Sequence, residues 1–222
     1  MELFFSKRIN VIVAVIIFTL FVFNIYNIVN NTPMVPDQFW AQKIFYFHVP
    51  IAWTGFLSYL IVMIAGILYL KNKKMIWDHL GFAAAEIGTL FVFLVLITGP
   101  IWAKPIWGTW WTWEPRLTTT LILFLIYVGY FMLRKFGGHP ERTSRYAAVL
   151  GIVAFFDVPI IFYSVRFWEE KYQSHPQIEI TKQNPEIVIP FLISLVIFTI
   201  LFSFMLKYRL HVLKVTHNRK ID

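Results

Sequence analysis

The sequence predicts an all-α, polytopic membrane protein with six transmembrane helices and both termini in the cytoplasm. Three observations lead to this fold class. Over 222 residues the composition is 58% hydrophobic and only 14% charged, which is too apolar for an ordinary soluble domain. Apolar runs of about 20 residues, enough to cross a hydrocarbon core of roughly 30 Å, recur along almost the whole chain. Finally, the loops between these runs alternate between basic and nearly uncharged sequence.

Six apolar runs are long enough to be spans, and together they make residues 1–222 a single membrane domain. The first run is followed by no small-x-small cleavage site, so we expect a retained helix rather than a signal peptide. Pro50 is expected to start the second helix, where its missing N–H needs no partner. The predicted spans cover residues of about 9–29, 50–70, 81–101, 117–134, 146–164 and 187–206.

The positions of Lys and Arg orient the spans. Fourteen of the 20 basic residues lie on the side that carries both termini, and only six lie on the other. Cytoplasmic loops of membrane proteins carry an excess of Lys and Arg, so this side is predicted to be cytoplasmic. The net charge of +8 then reflects these loops beside membrane lipid, and we expect no nucleic-acid partner.

Tryptophan is concentrated on the predicted outer side. Eight of the nine Trp residues, all but Trp77, lie in or next to the outer loops at about 30–49, 102–116 and 165–186. Interfacial belts enrich Trp at both membrane faces, so a one-sided distribution exceeds what a belt requires. We therefore expect aromatic surface to have a use at the outer face.

The densest part is the tryptophan-rich outer segment 102–116, which contains WGTWWTWEPR. A helical segment would place Trp107, Trp110 and Trp111 on one face. An extended segment would instead place Trp107, Trp111 and Trp113 on one side, with Trp110 on the other. The pattern leaves both open, and it also leaves open whether the segment is an interfacial anchor or a platform for a flat ligand.

Histidine position separates two groups. His79, His139, His211 and His217 fall on the predicted cytoplasmic side among basic residues, whereas His48 and His175 fall in outer loops. No histidine lies in the middle of a span, which argues against a b-type cytochrome with intramembrane ligands. A histidine pair could close both axial positions of a haem iron, although two loop histidines alone are weak evidence. Cysteine is absent, which excludes disulfides, thiolate metal sites and covalent CxxCH haem attachment.

Two carboxylates lie inside predicted spans, where ionisable groups are costly. Glu86 lies about one turn into the third span, where we favour helix pairing or snorkelling over a functional role. Asp157 precedes Val-Pro in the fifth span, so it either has a function or satisfies backbone groups freed at a proline kink. The sequence does not decide between those two interpretations.

The segment WGTWWTWEPRLT resembles the WGxxWxWD motif of the haem-handling proteins, in particular the cytochrome c maturation family CcmC. FYFHVPIAW, RLTTTLILFLIYVGY and DVPIIFYSVRFW also resemble successive segments of that family, and the six spans match its short architecture. Two features depart from the pattern. Glu114-Pro115 stands where the family usually has Asp-Ala, and the second histidine lies in SHPQ rather than LHQ.

The resemblance implies a haem-binding protein of cytochrome c biogenesis in the bacterial inner membrane. His48 and His175 would be the axial ligands of non-covalent haem b on the periplasmic side. Its partners would be a CcmA/CcmB-type ABC transporter, a CcmD-type small membrane subunit and a CcmE-type haem chaperone. The implied platform consists of Trp107, Gly108, Trp110, Trp111, Trp113, Glu114 and Arg116.

Delivery of haem would make the protein a carrier rather than an enzyme. The chain contains no GxxxxGK[ST] motif, so any ATPase activity is expected in the partner subunits. Two alternatives remain: a haem lyase or synthase component of the same superfamily, and a structural permease subunit that binds no haem.

Overall fold

The computed structural model describes residues 7–167, 175 and 183–218. All regular structure in this part of the chain is helical. It consists of a 3-10 helix, Phe39–Ile44, and seven α-helices: α1 Lys7–Asn31, α2 Phe45–Asn72, α3 Met75–Trp107, α4 Pro115–Phe136, α5 Pro140–Phe155, α6 Asp157–Phe167 and α7 Pro185–Asn218.

These helices form six candidate membrane spans, as the sequence predicted, by length and hydropathy. The 3-10 helix and α2 form one span, and α5 and α6 together form the fifth. We call the end of the bundle that holds His48 and His175 the histidine end, and the opposite end, where α2 meets α3, the basic end. The candidate spans are Arg8–Asn31, Phe39–Asn72, Met75–Trp107, Pro115–Phe136, Pro140–Ser164 and Pro185–Asn218.

Two helix limits at the histidine end differ from the prediction. α2 begins at Phe45 rather than at Pro50, so Pro50 lies inside the helix and one intrahelical hydrogen bond is forgone. α3 continues through Pro100 and Pro105 to Trp107, six residues beyond the predicted limit. Both helices gain length because the flanking residues are apolar or aromatic and can pack against each other.

The fifth span is broken in its middle. α5 ends at Phe155, Phe156 forms a turn, and α6 begins at Asp157. The amide that would bond to the Phe155 carbonyl belongs to Pro159, which has no N–H. The break is therefore the local response to Pro159. One carboxylate oxygen of Asp157, Oδ2, is buried without a hydrogen-bond partner among the described residues, so the role of Asp157 stays open.

Small residues let α2 and α3 approach closely. The Ser58 hydroxyl donates to the carbonyl oxygen of Ala84 at 2.6 Å. A Cβ atom on Gly88 would lie 2.8 Å from the Ser58 Oγ, and a Cβ atom on Gly55 would lie 3.2 Å from a Val92 methyl carbon. Close packing of small residues with an interhelical hydrogen bond is the usual way in which membrane helices associate.

Aromatic and ionic contacts fix the other helices around this pair. The Tyr59 ring on α2 stacks on the Tyr127 ring of α4, with centroids 3.9 Å apart. At the basic end Arg134 of α4 pairs with Asp78 of α3 at 2.5 Å. Arg209 of α7 pairs with Glu86 at 2.6 Å, which is the helix pairing favoured for this carboxylate.

We expect Gly88→Ala to destabilise the protein by about 1–3 kcal/mol, because the added methyl group overlaps Ser58 and Tyr59. Gly129→Ala is the matched control, since nothing lies within 4 Å of its Cβ position in α4. Thermal unfolding in detergent should show a lower midpoint for Gly88→Ala alone. Equal midpoints for the two variants would contradict the close α2–α3 contact.

Candidate functional site

His48 lies in the first turn of α2 and faces α3. Its Nδ1 lies 2.8 Å from the Oγ1 of Thr98, whose hydroxyl also donates to the Leu94 carbonyl oxygen at 2.8 Å. The Trp102 ring meets the imidazole edge to face, with centroids 5.7 Å apart. A Cβ atom on Gly99 would lie 3.3 Å from Cε1 of the imidazole. Contacts from two consecutive turns of α3 thus hold His48 on the scaffold of the two packed helices rather than on a loop.

His175 reaches the same end of the bundle from the segment between α6 and α7. Its Nδ1 contacts the Oε1 of Glu114, and its side chain is only 17% exposed. The Trp107 ring lies against it edge to face, at a centroid distance of 5.0 Å. Burial lowers the pKa of His175 to about 4, so its imidazole is neutral at neutral pH. A neutral imidazole keeps a lone pair on one nitrogen and can bind a metal.

Glu114 owes its position to the start of α4. It is the residue before the helix, followed by Pro115 at the first helical position, where proline is favoured. Its side chain makes no capping hydrogen bond to α4. The carboxylate is buried, with its side chain 2% exposed, and it is directed to His175 instead.

Two cavities flank the histidine pair, and both histidines form part of the wall of each cavity. The first cavity, about 920 Å³ including its open mouth, runs between α2, α3, α4 and α6. The second lies between α3 and Gln38, the residue before the 3-10 helix. The two cavities share His48, Trp102, Leu117 and His175. The first is otherwise lined by Val49, Ala52, Trp53, Phe56, Val95, Leu96, Pro100, Trp111, Arg116, Thr120, Ile161 and Phe162; the second by Gln38, Gly99, Ala103, Ile106 and Trp107.

The first cavity has hydrogen-bond donors that lack acceptors. Arg116 donates from Nη2 to the Phe162 carbonyl oxygen at 3.2 Å, but its Nε is buried without a partner among the described residues. Trp102 and Trp111 likewise bury an indole Nε1 without a partner there. These three groups can only donate, so the ligand that complements them carries acceptor oxygens, preferably charged ones.

The tryptophan-rich segment is neither the helix nor the strand that the sequence left open. Trp107 closes α3, and Gly108 ends the helix in the left-handed conformation with φ 73°. The residues from there to Glu114 are irregular, and Trp113 has φ 56°. Within this irregular stretch the Trp111 and Trp113 rings meet edge to face, with centroids 5.8 Å apart.

The predicted platform residues consequently divide into two groups. Trp107, Trp111 and Arg116 line the cavities, and Glu114 holds His175. Trp110 and Trp113, 57% and 70% exposed, line neither cavity; Trp110 lies under the Lys104 ammonium, 6.0 Å from its ring centroid. Gly108 acts through the backbone, and its carbonyl oxygen accepts from Lys104 at 2.8 Å.

Several wall residues were not predicted. Trp102 lines both cavities, Thr98 contacts His48, and Gln38 and Trp53 lie on the walls. Trp102 lies in the tryptophan-rich segment, so the sequence indicated that it could belong to an aromatic site. The sequence did not indicate that α3 extends far enough to place Trp102 against His48. Thr98 carried no signal, because a threonine in an apolar run is common.

Two imidazoles can complete the coordination of an iron ion whose other ligands come from a bound molecule. Among the residues the structure describes, no group of three or more His, Asp or Glu lies close enough to hold a metal ion. Two histidines can supply the two axial positions of an octahedral iron, and a macrocycle then supplies the other four.

Comparison with known proteins also points to haem handling. The family model described as "CcmC: Heme exporter protein C" matches residues 2–221. Two proteins named heme exporter protein C are similar over 78% of the chain: that of Bradyrhizobium diazoefficiens at 36% identity over 67% of its length, and that of Haemophilus influenzae at 37% over 72%.

Other relatives match a smaller part of their own length. The Escherichia coli heme exporter protein C is 34% identical over 63% of this chain and 57% of the relative. A putative cytochrome c biosynthesis ccmC-like mitochondrial protein of Marchantia polymorpha is 37% identical over 59% and 55%, respectively. The similarity to these two therefore spans a little over half of each relative.

We expect Gly108→Ala to cost about 1 kcal/mol, because the left-handed conformation at φ 73° disfavours a Cβ atom even where space is open. Gly108→Asn should cost less, since Asn tolerates this conformation. Thermal unfolding with near-ultraviolet circular dichroism of the indoles measures both effects. Identical midpoints for wild type and Gly108→Ala would contradict the cap.

Proposed function

The chain belongs to the heme exporter protein C (CcmC) family, and from this membership we propose that it binds haem at the histidine end and delivers it for cytochrome c maturation. The histidine end would be the periplasmic face of the bacterial inner membrane, as the distribution of basic residues predicts. The haem is cargo: non-covalent haem b, held between His48 and His175 and later released.

The observation that carries this proposal is that the same two histidines wall both cavities. A planar ligand whose metal lies between His48 and His175 extends to either side of the line that joins them, and the cavities offer space on both sides. Trp102 borders both spaces, Trp107 the second and Trp111 the first, and indole faces suit a porphyrin.

Arg116 supports haem in particular among flat ligands. Burial of a guanidinium beside an apolar cavity is costly unless an anion meets it. Haem carries two propionate carboxylates, and a guanidinium fork matches a carboxylate in shape and charge. The unpaired donors of Trp102 and Trp111 lie on residues of the same wall. We therefore assign the propionate side of the ligand to the first cavity.

The exposed indoles suit the delivery step. Trp110 and Trp113 lie at the histidine end outside both cavities, where a partner can reach them. We assign them to the contact with a CcmE-type haem chaperone.

A CcmA/CcmB-type ABC transporter would supply ATP hydrolysis and a CcmD-type subunit would complete the membrane complex, so this chain would act as a carrier rather than an enzyme. Haem binding is favoured over the haem-free permease alternative because the first cavity combines two imidazoles with hydrogen-bond donors that lack acceptors.

Purified protein supplied with haem should show a visible spectrum of bis-histidine haem. His48→Ala and His175→Ala should each diminish it, because one axial ligand is lost. His139→Ala is the control, since this histidine lies before α5 at the basic end and has no place in either cavity. Absorption spectra in detergent, titrated with haem, measure the effect.

Protein that stays colourless with haem and with its membrane partners present would contradict haem binding and favour the permease alternative. Haem loading of the chaperone that survives both substitutions would contradict the ligand assignment alone.

Arg116→Gln should weaken haem binding by roughly 10- to 100-fold, the equivalent of a lost charge-assisted hydrogen bond of about 1.5–3 kcal/mol. Haem dimethyl ester, which has no carboxylate charge, should bind wild type and Arg116→Gln nearly equally. Arg145→Gln, which removes an exposed guanidinium paired with Glu141, is the control. Equal losses for the acid and the ester would contradict the propionate assignment.

A further inference from the structure

Each histidine of the site presents the same ring nitrogen to a neighbour. The Nδ1 of His48 lies 2.8 Å from the Oγ1 of Thr98. A hydroxyl has one proton, and that of Thr98 points to the Leu94 carbonyl oxygen, also 2.8 Å away. The Thr98 oxygen can therefore only accept from the imidazole. Nδ1 of His48 must carry the proton.

His175 meets a different acceptor with the same result. Its Nδ1 contacts the Oε1 of Glu114, and an ionised carboxylate can only accept. Glu114 precedes α4, where the partial positive charge of a helix N-terminus favours an anion. The carboxylate is buried and makes no capping bond to α4, and its Oε1 is in contact with the imidazole.

We propose that Thr98 and Glu114 are positioning residues that fix His48 and His175 as Nδ1–H tautomers, leaving the Nε2 lone pair of each for iron. This inference rests on the proposed haem site. It assigns Glu114 to His175 rather than to the porphyrin surface, and it gives Thr98 a role that its sequence context does not signal.

The two bonds are unequal, and the ligands therefore differ in strength. Hydrogen bonds to a carboxylate are roughly twice as strong as neutral ones, and a carboxylate partner raises the basicity of a metal-bound imidazole. His175 is thus the stronger donor to ferric iron, and His48, bonded only to a hydroxyl, is the weaker.

The tautomers are measurable in the full-length protein without haem. The chain has six histidines, and ¹⁵N-histidine labelling gives few enough signals to assign with His48→Ala and His175→Ala. At neutral pH both site histidines should show a protonated Nδ1 and a bare Nε2. In Glu114→Gln the His175 preference should be lost, because an amide can donate to Nδ1 as well as accept. A protonated Nε2 at either residue in the wild type overturns the proposal.

Haem-loaded variants test the consequence. Glu114→Gln should bind haem about 10- to 100-fold more weakly and shift its reduction potential in the positive direction, since ferric iron loses the more basic ligand. Glu114→Asp restores the charge and should recover most of both. Thr98→Val should show a smaller loss. Thr199→Val is its matched control: this part-buried hydroxyl also donates to the carbonyl four residues back, but the structure gives it no histidine contact.

The outcomes separate this inference from the proposed function. If His175→Ala loses haem while Glu114→Gln keeps wild-type affinity and potential, the positioning role is overturned and the haem site stands. If His175→Ala keeps wild-type haem binding, the haem site itself is wrong. Thermal unfolding of the haem-free variants shows whether Glu114→Gln is folded. If it is not, Glu114→Asp is compared with the wild type instead.

Discussion

The close contact of α2 with α3 is the interaction on which the positions of the other helices and of His48 depend. Gly55, Ser58 and Ala65 meet Val92, Gly88 and Gly81 in turn, so the two antiparallel helices run in one constant register. Continued toward the histidine end, that register places His48 beside Thr98, which is where the hydrogen bond between them forms. The packing of small residues toward the basic end thereby fixes the position of His48 at the histidine end, because membrane helices that pack through small residues have little freedom to slide.

The site combines an apolar interior with polar groups that are only half satisfied. Buried donors normally find acceptors inside the protein, and a group that does not is an exception that calls for an explanation. Three such donors, the Nε of Arg116 and the indole Nε1 of Trp102 and Trp111, border the first cavity. The imidazoles, by contrast, are held firmly on their Nδ1 side. Such a wall holds both imidazoles by Nδ1 and lacks acceptors for its donors, which is consistent with the proposed cargo, a haem with two carboxylates.

Much of the architecture was predictable because hydrophobicity over about 20 residues is a strong signal. The six spans were read from it, and the two histidines and the cavity-lining Trp107, Trp111 and Arg116 followed from position and family resemblance. The helix limits were not, since Pro50 is ordinarily a signal for the start of a helix and Pro105 for its end, and packing overrides both here. Nor could the sequence tell that Trp110 and Trp113 line neither cavity, because the course of this segment depends on the left-handed conformation of Gly108 and Trp113.

The break at Phe156 affects how the two parts of the fifth span are joined. The backbone ladder of α5, packed on α2 through Ala148 and Gly151, does not continue into α6, because Pro159 supplies no hydrogen bond across the junction. The two parts of the span are therefore joined at Phe156 by the covalent chain and by side-chain packing rather than by a continuous ladder. Val158 and Ile161 of α6 share one hydrophobic cluster with Ala147 and Ala154 of α5, so the wall of the first cavity is continuous with the core of the bundle despite the break.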